Sequence, residues 1–261
     1  MSQEWLSPEE ARNHDGLRLV LTVGVPGPWG EAAKGLLVAK NIPFRRVIQK
    51  PGEANEALSA WTGEINAPQA VHAQQPALNR WNDLIFLAES LEPTPPLIPE
   101  DPADRAQMFG LLHELCGQDG FGWNRRQMLF APLLSLPADH PGRQSVANMA
   151  ERYGCSESAA ARAPQRCAEV LSLLAQQCRT QISHGRHFLI GNQLSALDIY
   201  WAAFAALVEP LPDDLCAMSP GMRAGYGQPH PLIDAAITPE LMAHRDRIYA
   251  DHLELPVDLG P

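Results

Sequence analysis

Five prolines, Pro93, Pro95, Pro96, Pro99 and Pro102, fall within ten residues, a density that no helix interior or central strand tolerates. Each removes an amide donor and restricts the residue before it to extended backbone. Residues 93–102 therefore read as an extended linker, and the chain divides there into residues 17–92 and 103–255.

The two sides carry different patterns. Residues 17–23 alternate as a strand and stop at Gly24, and a glycine- and proline-rich turn follows over 24–30. Residues 31–40 predict a helix with Ala32, Leu36 and Ala39 on one face and Gly35 allowing close packing, and residues 43–48 predict a second strand. Strand, helix and strand in so short a span form a βαβ unit, hence a parallel pair covered by helices. Weaker signals predict a helix over 53–61 and a strand over 70–72, and a clear apolar period predicts a helix over 81–91. Beyond the linker strand signals nearly vanish. Helical periods cover 103–115, 123–134, 159–182, 196–208 and 239–253, so the second domain is expected to be all-helical. The tail, 248–257, carries no motif and is free to pack across the cleft between domains.

Composition narrows the function classes. With 45% hydrophobic residues in 261, there is ample core for two modest domains. A formal charge of −10 sets the chain against nucleic acid and anionic membrane surfaces. No apolar stretch reaches membrane-spanning length, and residues 1–15 are too polar for an export signal. The five cysteines, Cys116, Cys155, Cys167, Cys178 and Cys216, form no paired motif, so they read as reduced thiols in a cytoplasmic protein with no metal site.

The sharpest local signal runs from Phe188 to Tyr200. Ser195 and Asp198 have capping-box spacing, and the helix they open is apolar nearly all round, through Ile199, Trp201, Ala202, Phe204 and Leu207. That is a buried core helix with a satisfied start. It is structural chemistry rather than a catalytic site.

This capped helix, the βαβ start, the linker and the helical second half together resemble the glutathione S-transferase superfamily. Family members carry Phe/Tyr-Leu-x-Gly followed by Ser/Thr-x-Ala-Asp-Ile. Here the motif stands as Phe188-Leu189-Ile190-Gly191 and Ser195-Ala196-Leu197-Asp198-Ile199, with Leu197 in place of the alanine. Pro99-Glu100-Asp101 with Arg105-Ala106 also looks like the family's entry to its helical domain. The resemblance implies an α/β thioredoxin-like N-terminal domain and an all-α C-terminal domain, with glutathione as co-substrate, no metal, and assembly as a homodimer.

It also implies three sites in the first domain. The active-site turn would be residues 25–30, where Gly27-Pro28-Trp29 matches the family's Ser or Cys followed by proline and an aromatic. Gly27 then occupies the position of the thiol-activating side chain, Trp29 follows it, and Thr22 lies where other classes place a catalytic tyrosine. A cis-proline loop would be Ala67-Pro68, with the Ala67 backbone pairing with the cysteinyl part of glutathione. The Glu/Gln-Ser pair that grips the glutamyl end would fall at Arg80 and Trp81, neither of which matches it.

The pocket for the second substrate would involve His113, Cys116, Trp123 and Arg125 in the second domain. An arginine beside Trp123 can hold an anion by stacking and bidentate hydrogen bonding, and the expected residue is Arg125. His113 and Glu114 are adjacent, so on a helix they diverge and cannot form a metal pair. The expected function is attack by glutathione thiolate, stabilised by backbone amides, on a small-molecule electrophile or an anionic ligand (a transferase of the EC 2.5.1 type). The alternative is a non-catalytic binding or interaction protein that kept this fold and lost the chemistry, which Gly27, Arg80 and Trp81 favour.

Overall fold

The computed structural model describes residues 4–261. The α/β part comprises β1 (Trp5–Leu6), α1 (Pro8–Arg12), β2 (Leu17–Thr22), α2 (Pro28–Ala39), β3 (Arg45–Gln49), α3 (Glu56–Thr62), β4 (Gln69–His72) and α4 (Trp81–Leu91). The strands order as β1-β3-β2-β4, with β3 parallel to β1 and β2, and β4 antiparallel to β2. The parallel β2–β3 pair is the one the βαβ pattern predicts. The sheet also takes in Trp5–Leu6, ahead of the expected domain start at residue 17, as an edge strand two residues long.

β2 is one of the two inner strands and is buried on both faces. Leu17, Leu19 and Leu21 belong to the main core with α2 and α4, while Val20 packs with Leu6, Ala11, Val47 and Leu58 on the α1–α3 side. Arg18 shares that second face and is buried, but its guanidinium donates to the Gly16 and Ala73 carbonyls at 2.6 and 2.8 Å. These two bonds use both terminal nitrogens and offset part of the cost of burying the charge. α2 begins at Pro28, inside the expected turn, because proline at the first helical position carries the required φ and needs no acceptor.

The helical part comprises α5 (Pro102–Cys116), α6 (Phe121–Leu134), α7 (Pro141–Arg152), α8 (Glu157–Ser183), α9 (Ala196–Phe204) with a 3-10 turn at Ala205–Leu207, α10 (Pro220–Tyr226), α11 (Pro231–Ala236) and α12 (Pro239–His252). α7 is absent from the sequence expectation because its polar composition hides a short apolar stripe, Val146, Met149 and Ala150, of which Val146 and Ala150 are buried. Its start is nevertheless marked, by His140 accepting from the Gly142 amide and Pro141 at the first helical position.

Asp198 organises the start of α9. Its Oδ2 accepts from the Ser195 amide at 2.8 Å and the Ser195 hydroxyl at 2.6 Å, and its Oδ1 accepts from the Leu189 amide at 2.7 Å. His244 Nε2 of α12 lies 2.9 Å from the same Oδ1. α9 packs on α2, where Gly35 meets Ile199, so one continuous core runs through both parts. The linker contributes buried Leu97 and Ile98, and its Leu97 carbonyl accepts from the Ala196 amide at 2.8 Å.

The tail lies against both parts. Val257 donates to the Leu215 carbonyl at 2.7 Å and packs with Leu211, Cys216 and Met218 of the helical part, while Gly24 of the α/β part donates to the Leu259 carbonyl at 2.7 Å. Buried Arg46 of β3 pairs with Glu254 at 2.7 Å and with Asp258. No helix among the described residues is long and apolar enough to cross a membrane.

Candidate functional site

The N-terminus of α2 opens onto a cavity of about 440 Å³ between the two parts, a size that suits a small-molecule ligand. Gly27 is the N-cap residue, with φ −62° and ψ 116°, and its own amide is satisfied by the Val25 carbonyl at 2.8 Å. Pro28 has no amide hydrogen. The Trp29 and Gly30 amides have no hydrogen-bond partner among the described residues, and both residues line the cavity. These are the orphan donors that every helix start carries, and with the helix dipole they favour an anion.

A second wall comes from β2, β3 and the loop before β4. Thr22 lines the cavity, but its hydroxyl donates to Gln49 Oε1 at 2.8 Å. The Ala67–Pro68 peptide is cis, Ala67 lines the cavity, and its N–H and C=O are unpaired among the described residues. Glu31 lies at the base of α2 and pairs with Lys34 at 2.7 Å. Burial pushes its carboxyl pKa up, against the pull of Lys34.

The third wall is helical. α6 supplies Gly122, Arg126, Leu129 and Phe130, and α7 supplies Asn148, Met149 and Arg152, followed by Tyr153. A Cβ on Gly122 would lie 2.5 Å from the Phe204 ring and 2.8 Å from Trp29, so only glycine lets α6 approach this closely. Trp29 crosses Phe204 edge-on at 4.8 Å. The Arg126 Cζ lies 4.0 Å from the Tyr153 ring centroid, 4.6 Å from that of Trp29 and 5.0 Å from that of Trp123. Burial lowers the Arg126 pKa, but a guanidinium remains charged at any physiological pH.

The expected residues divide sharply. Thr22, Gly27, Pro28, Trp29 and Ala67 line the cavity, with Pro68 buried directly behind Ala67. Arg80 is exposed at the start of α4 and does not line the cavity, and the Trp81 ring packs against Phe109 and Tyr200 instead. His113 is exposed at the end of α5, also outside the cavity. Cys116 is buried, its thiol donates to the Leu112 carbonyl at 3.0 Å, and burial pushes its pKa well up. Trp123 backs Arg126 without lining the cavity itself.

Arg125 requires correction. It is buried and donates to the carbonyls of Leu207, Tyr226 and Gln228 at 2.8, 3.0 and 2.7 Å, which ties α6 to the later helices and leaves it away from the cavity. The arginine at the cavity is Arg126. Helical phase is the signal for it, because Trp123 and Arg126 are three apart and share a face while Arg125 does not. Arg152 and Tyr153 were hidden with α7. Among the described residues no cluster of His, Cys, Asp and Glu side chains is placed to hold a metal ion.

No protein-family model matches the sequence, and no curated protein matches it. Solved structures do match. The beta-etherase LigF from Sphingobium sp. superposes with a TM-score of 0.64 at 16% identity, covering 90% of this chain and 95% of that one. A glutathione transferase family member from Pseudomonas fluorescens, solved with two glutathione molecules bound, gives 0.61 at 13%, covering 90% and 89%. The nitrogen regulation fragment of the yeast prion protein Ure2p gives 0.61 at 12%, covering 90% and 92%. With its four-stranded mixed sheet, its helical second part and these neighbours, the chain has the glutathione S-transferase fold.

Proposed function

We propose that the chain is a glutathione S-transferase-like enzyme that activates the thiol of glutathione at the N-terminus of α2 and presents it to an electrophile in the adjoining cavity. The observation that carries this reading is the pair of unpartnered amides at Trp29 and Gly30, beside the unpaired Ala67 backbone. A thiolate above Gly27 would accept from those amides. A hydrogen bond to a charged group contributes about 1.5–3 kcal/mol, and one pKa unit is about 1.4 kcal/mol, so two such bonds lower a thiol pKa by roughly two to four units. The thiol proton leaves to water, the sulfur forms a bond to carbon, and the leaving group departs with its electron pair.

In this reading Gly27 contributes space and backbone rather than a side chain, Pro28 fixes the turn, and Trp29 acts through its amide. Thr22 gives no hydrogen bond to the thiolate, since its hydroxyl proton is held by Gln49. Arg80 and Trp81 take no part. A cytoplasmic homodimer is the accompanying expectation, and light scattering of the purified protein reads the assembly directly. Incubation with glutathione and chlorodinitrobenzene tests the reaction. Conjugation above the uncatalysed rate is the expected result, and a rate equal to the protein-free control overturns it.

A binding protein without catalysis is the second reading. The missing side-chain donor at Gly27 and the placement of Arg80 and Trp81 outside the cavity favour it. Retention on immobilised glutathione, with release by free glutathione and no conjugation, is its signature. A scaffold that has lost the ligand as well flows through.

A further inference from the structure

Arg126 stands apart from the other buried or half-buried cations of this structure. Arg18 donates to two carbonyls, Lys34 pairs with Glu31, Lys40 with Glu89, Arg46 with Glu254 and Asp258, and Arg245 with Asp246. Arg125 holds three carbonyls. The Arg126 guanidinium has no hydrogen bond and no ion pair among the described residues, and it lines the cavity. The groups acting on it electrostatically are Tyr153, Cys155 and Tyr226, none of them a carboxylate.

Three aromatic rings hold this planar cation in place. Cation–π contact offsets part of the desolvation of a guanidinium but leaves its five donors without acceptors. The carboxylates on the cavity wall are engaged elsewhere, Glu31 by Lys34 at 2.7 Å and Glu53 by Lys50 at 3.8 Å. Arg152, exposed and on the same wall, also has no partner among the described residues. In a chain of formal charge −10, this wall is a local positive field facing the cavity.

We propose that the electrophile taken by this cavity is an aromatic carboxylate, its carboxylate held by Arg126 and its ring lying among Leu129, Phe130, Met149 and Tyr153. A guanidinium held among aromatic rings with its donors unused presents a fork that matches a carboxylate's two oxygens. The apolar lining accounts for the ring, and the thiol site at Trp29 lies across the same cavity. The reaction assigned to this substrate rests on the transferase reading. The binding does not.

The test compares a chloronitrobenzoate with the matching chloronitrobenzamide, the same ring with and without the charge, by titration calorimetry on the full chain. The carboxylate is expected to bind roughly tenfold or more tighter than the amide, the contribution of one desolvated charge-assisted pair, and to weaken as salt is raised. Arg126→Gln should abolish the preference, Arg126→Lys should keep part of it, and glutathione affinity should be the same in all three proteins. Equal binding of acid and amide by the wild type overturns the proposal whether or not the variants fold. A preference that survives in Arg126→Gln also overturns it. So does loss of glutathione binding in a folded Arg126→Gln, because Arg126 would then serve a carboxylate of glutathione itself. If the acid binds selectively but no chloride is released with glutathione, the transferase reading fails and this assignment stands.

Discussion

The indole Nε1 of Trp29 donates to the carbonyl oxygen of Cys116 at 3.0 Å, joining the first turn of α2 to the last residue of α5. The same ring packs against Phe204 and under Arg126, so Trp29 is held on one side of the cavity instead of filling it. Replacing it separates its two contributions. Trp29→Phe keeps a ring and removes the hydrogen bond, which should cost about 1 kcal/mol. Trp29→Ala removes the ring from its packing and should cost about 3–5 kcal/mol. Urea unfolding reads both, and equal losses would mean that the ring packing contributes little.

Gly27→Ser places a hydroxyl where the resembled family has one. A Cβ at Gly27 meets nothing within 4 Å, and its φ of −62° suits any residue. Serine at the N-cap is also as favourable as glycine or slightly better. On the transferase reading, the hydroxyl adds a donor to the thiolate, and kcat/KM for glutathione conjugation should rise roughly tenfold for about 1.4 kcal/mol of added stabilisation. A folded variant with unchanged kcat/KM argues that the thiol does not sit above this turn.

Asp198→Ala leaves the Leu189 amide and the Ser195 amide and hydroxyl without their acceptor in a fully buried setting. Each buried donor left unsatisfied costs about 1–3 kcal/mol, so the loss should reach several kcal/mol or prevent folding. Asp198→Asn keeps two acceptor sites on one oxygen and should lose less. Thermal unfolding of the two variants checks the order.

Gly35→Ala sets helix propensity against packing. Alanine favours a helix interior by about 0.5–1 kcal/mol over glycine. Its Cβ, however, would lie 2.7 Å from Ile199 Cγ2 of α9 and 3.0 Å from Leu253 Cδ2 just after α12. Ile199 is fully buried and has nowhere to move, so overpacking of about 1–3 kcal/mol should prevail and the net effect should be destabilising. An increase in the urea midpoint would show that α2 and α9 can separate without loss.

Thiol labelling should follow burial. Burial raises the pKa of Cys116 well above the ordinary range and that of Cys167 to about 12, and both side chains are enclosed. Cys155 is half-buried, its pKa raised by burial and drawn back by Arg126. A raised pKa means less thiolate at neutral pH, so iodoacetamide should modify Cys155 first, slowly, and faster as pH rises. Peptide mass analysis that found Cys116 modified in the folded protein would contradict its enclosure.

Much of the architecture was legible because the signals were local. Prolines at 93–102 interrupt regular structure wherever they occur, and the apolar periods of α4, α5, α8 and α12 read directly as helices. The Ser195–Asp198 cap could be read because both partners lie within one turn. β1, α1, α7, α10 and α11 were not legible. A two-residue edge strand has no period, α1, α10 and α11 are short helices of five to seven residues, and the apolar stripe of α7 is short in a polar helix.

The sequence by itself determined where the long helices run, where regular structure must stop, and that a glycine stands at the turn before α2. Only the tertiary structure decided what the neighbours Arg125 and Arg126 do. Arg125 finds its acceptors 82 to 103 residues away, at Leu207, Tyr226 and Gln228. Arg126 lies among Trp29, Trp123 and Tyr153, rings brought from three different segments. Adjacent side chains on a helix leave its axis about 100° apart. Helical phase places Arg126 with Trp123 and Arg125 on another face, but which face meets carbonyls and which meets the cavity depends on distant chain.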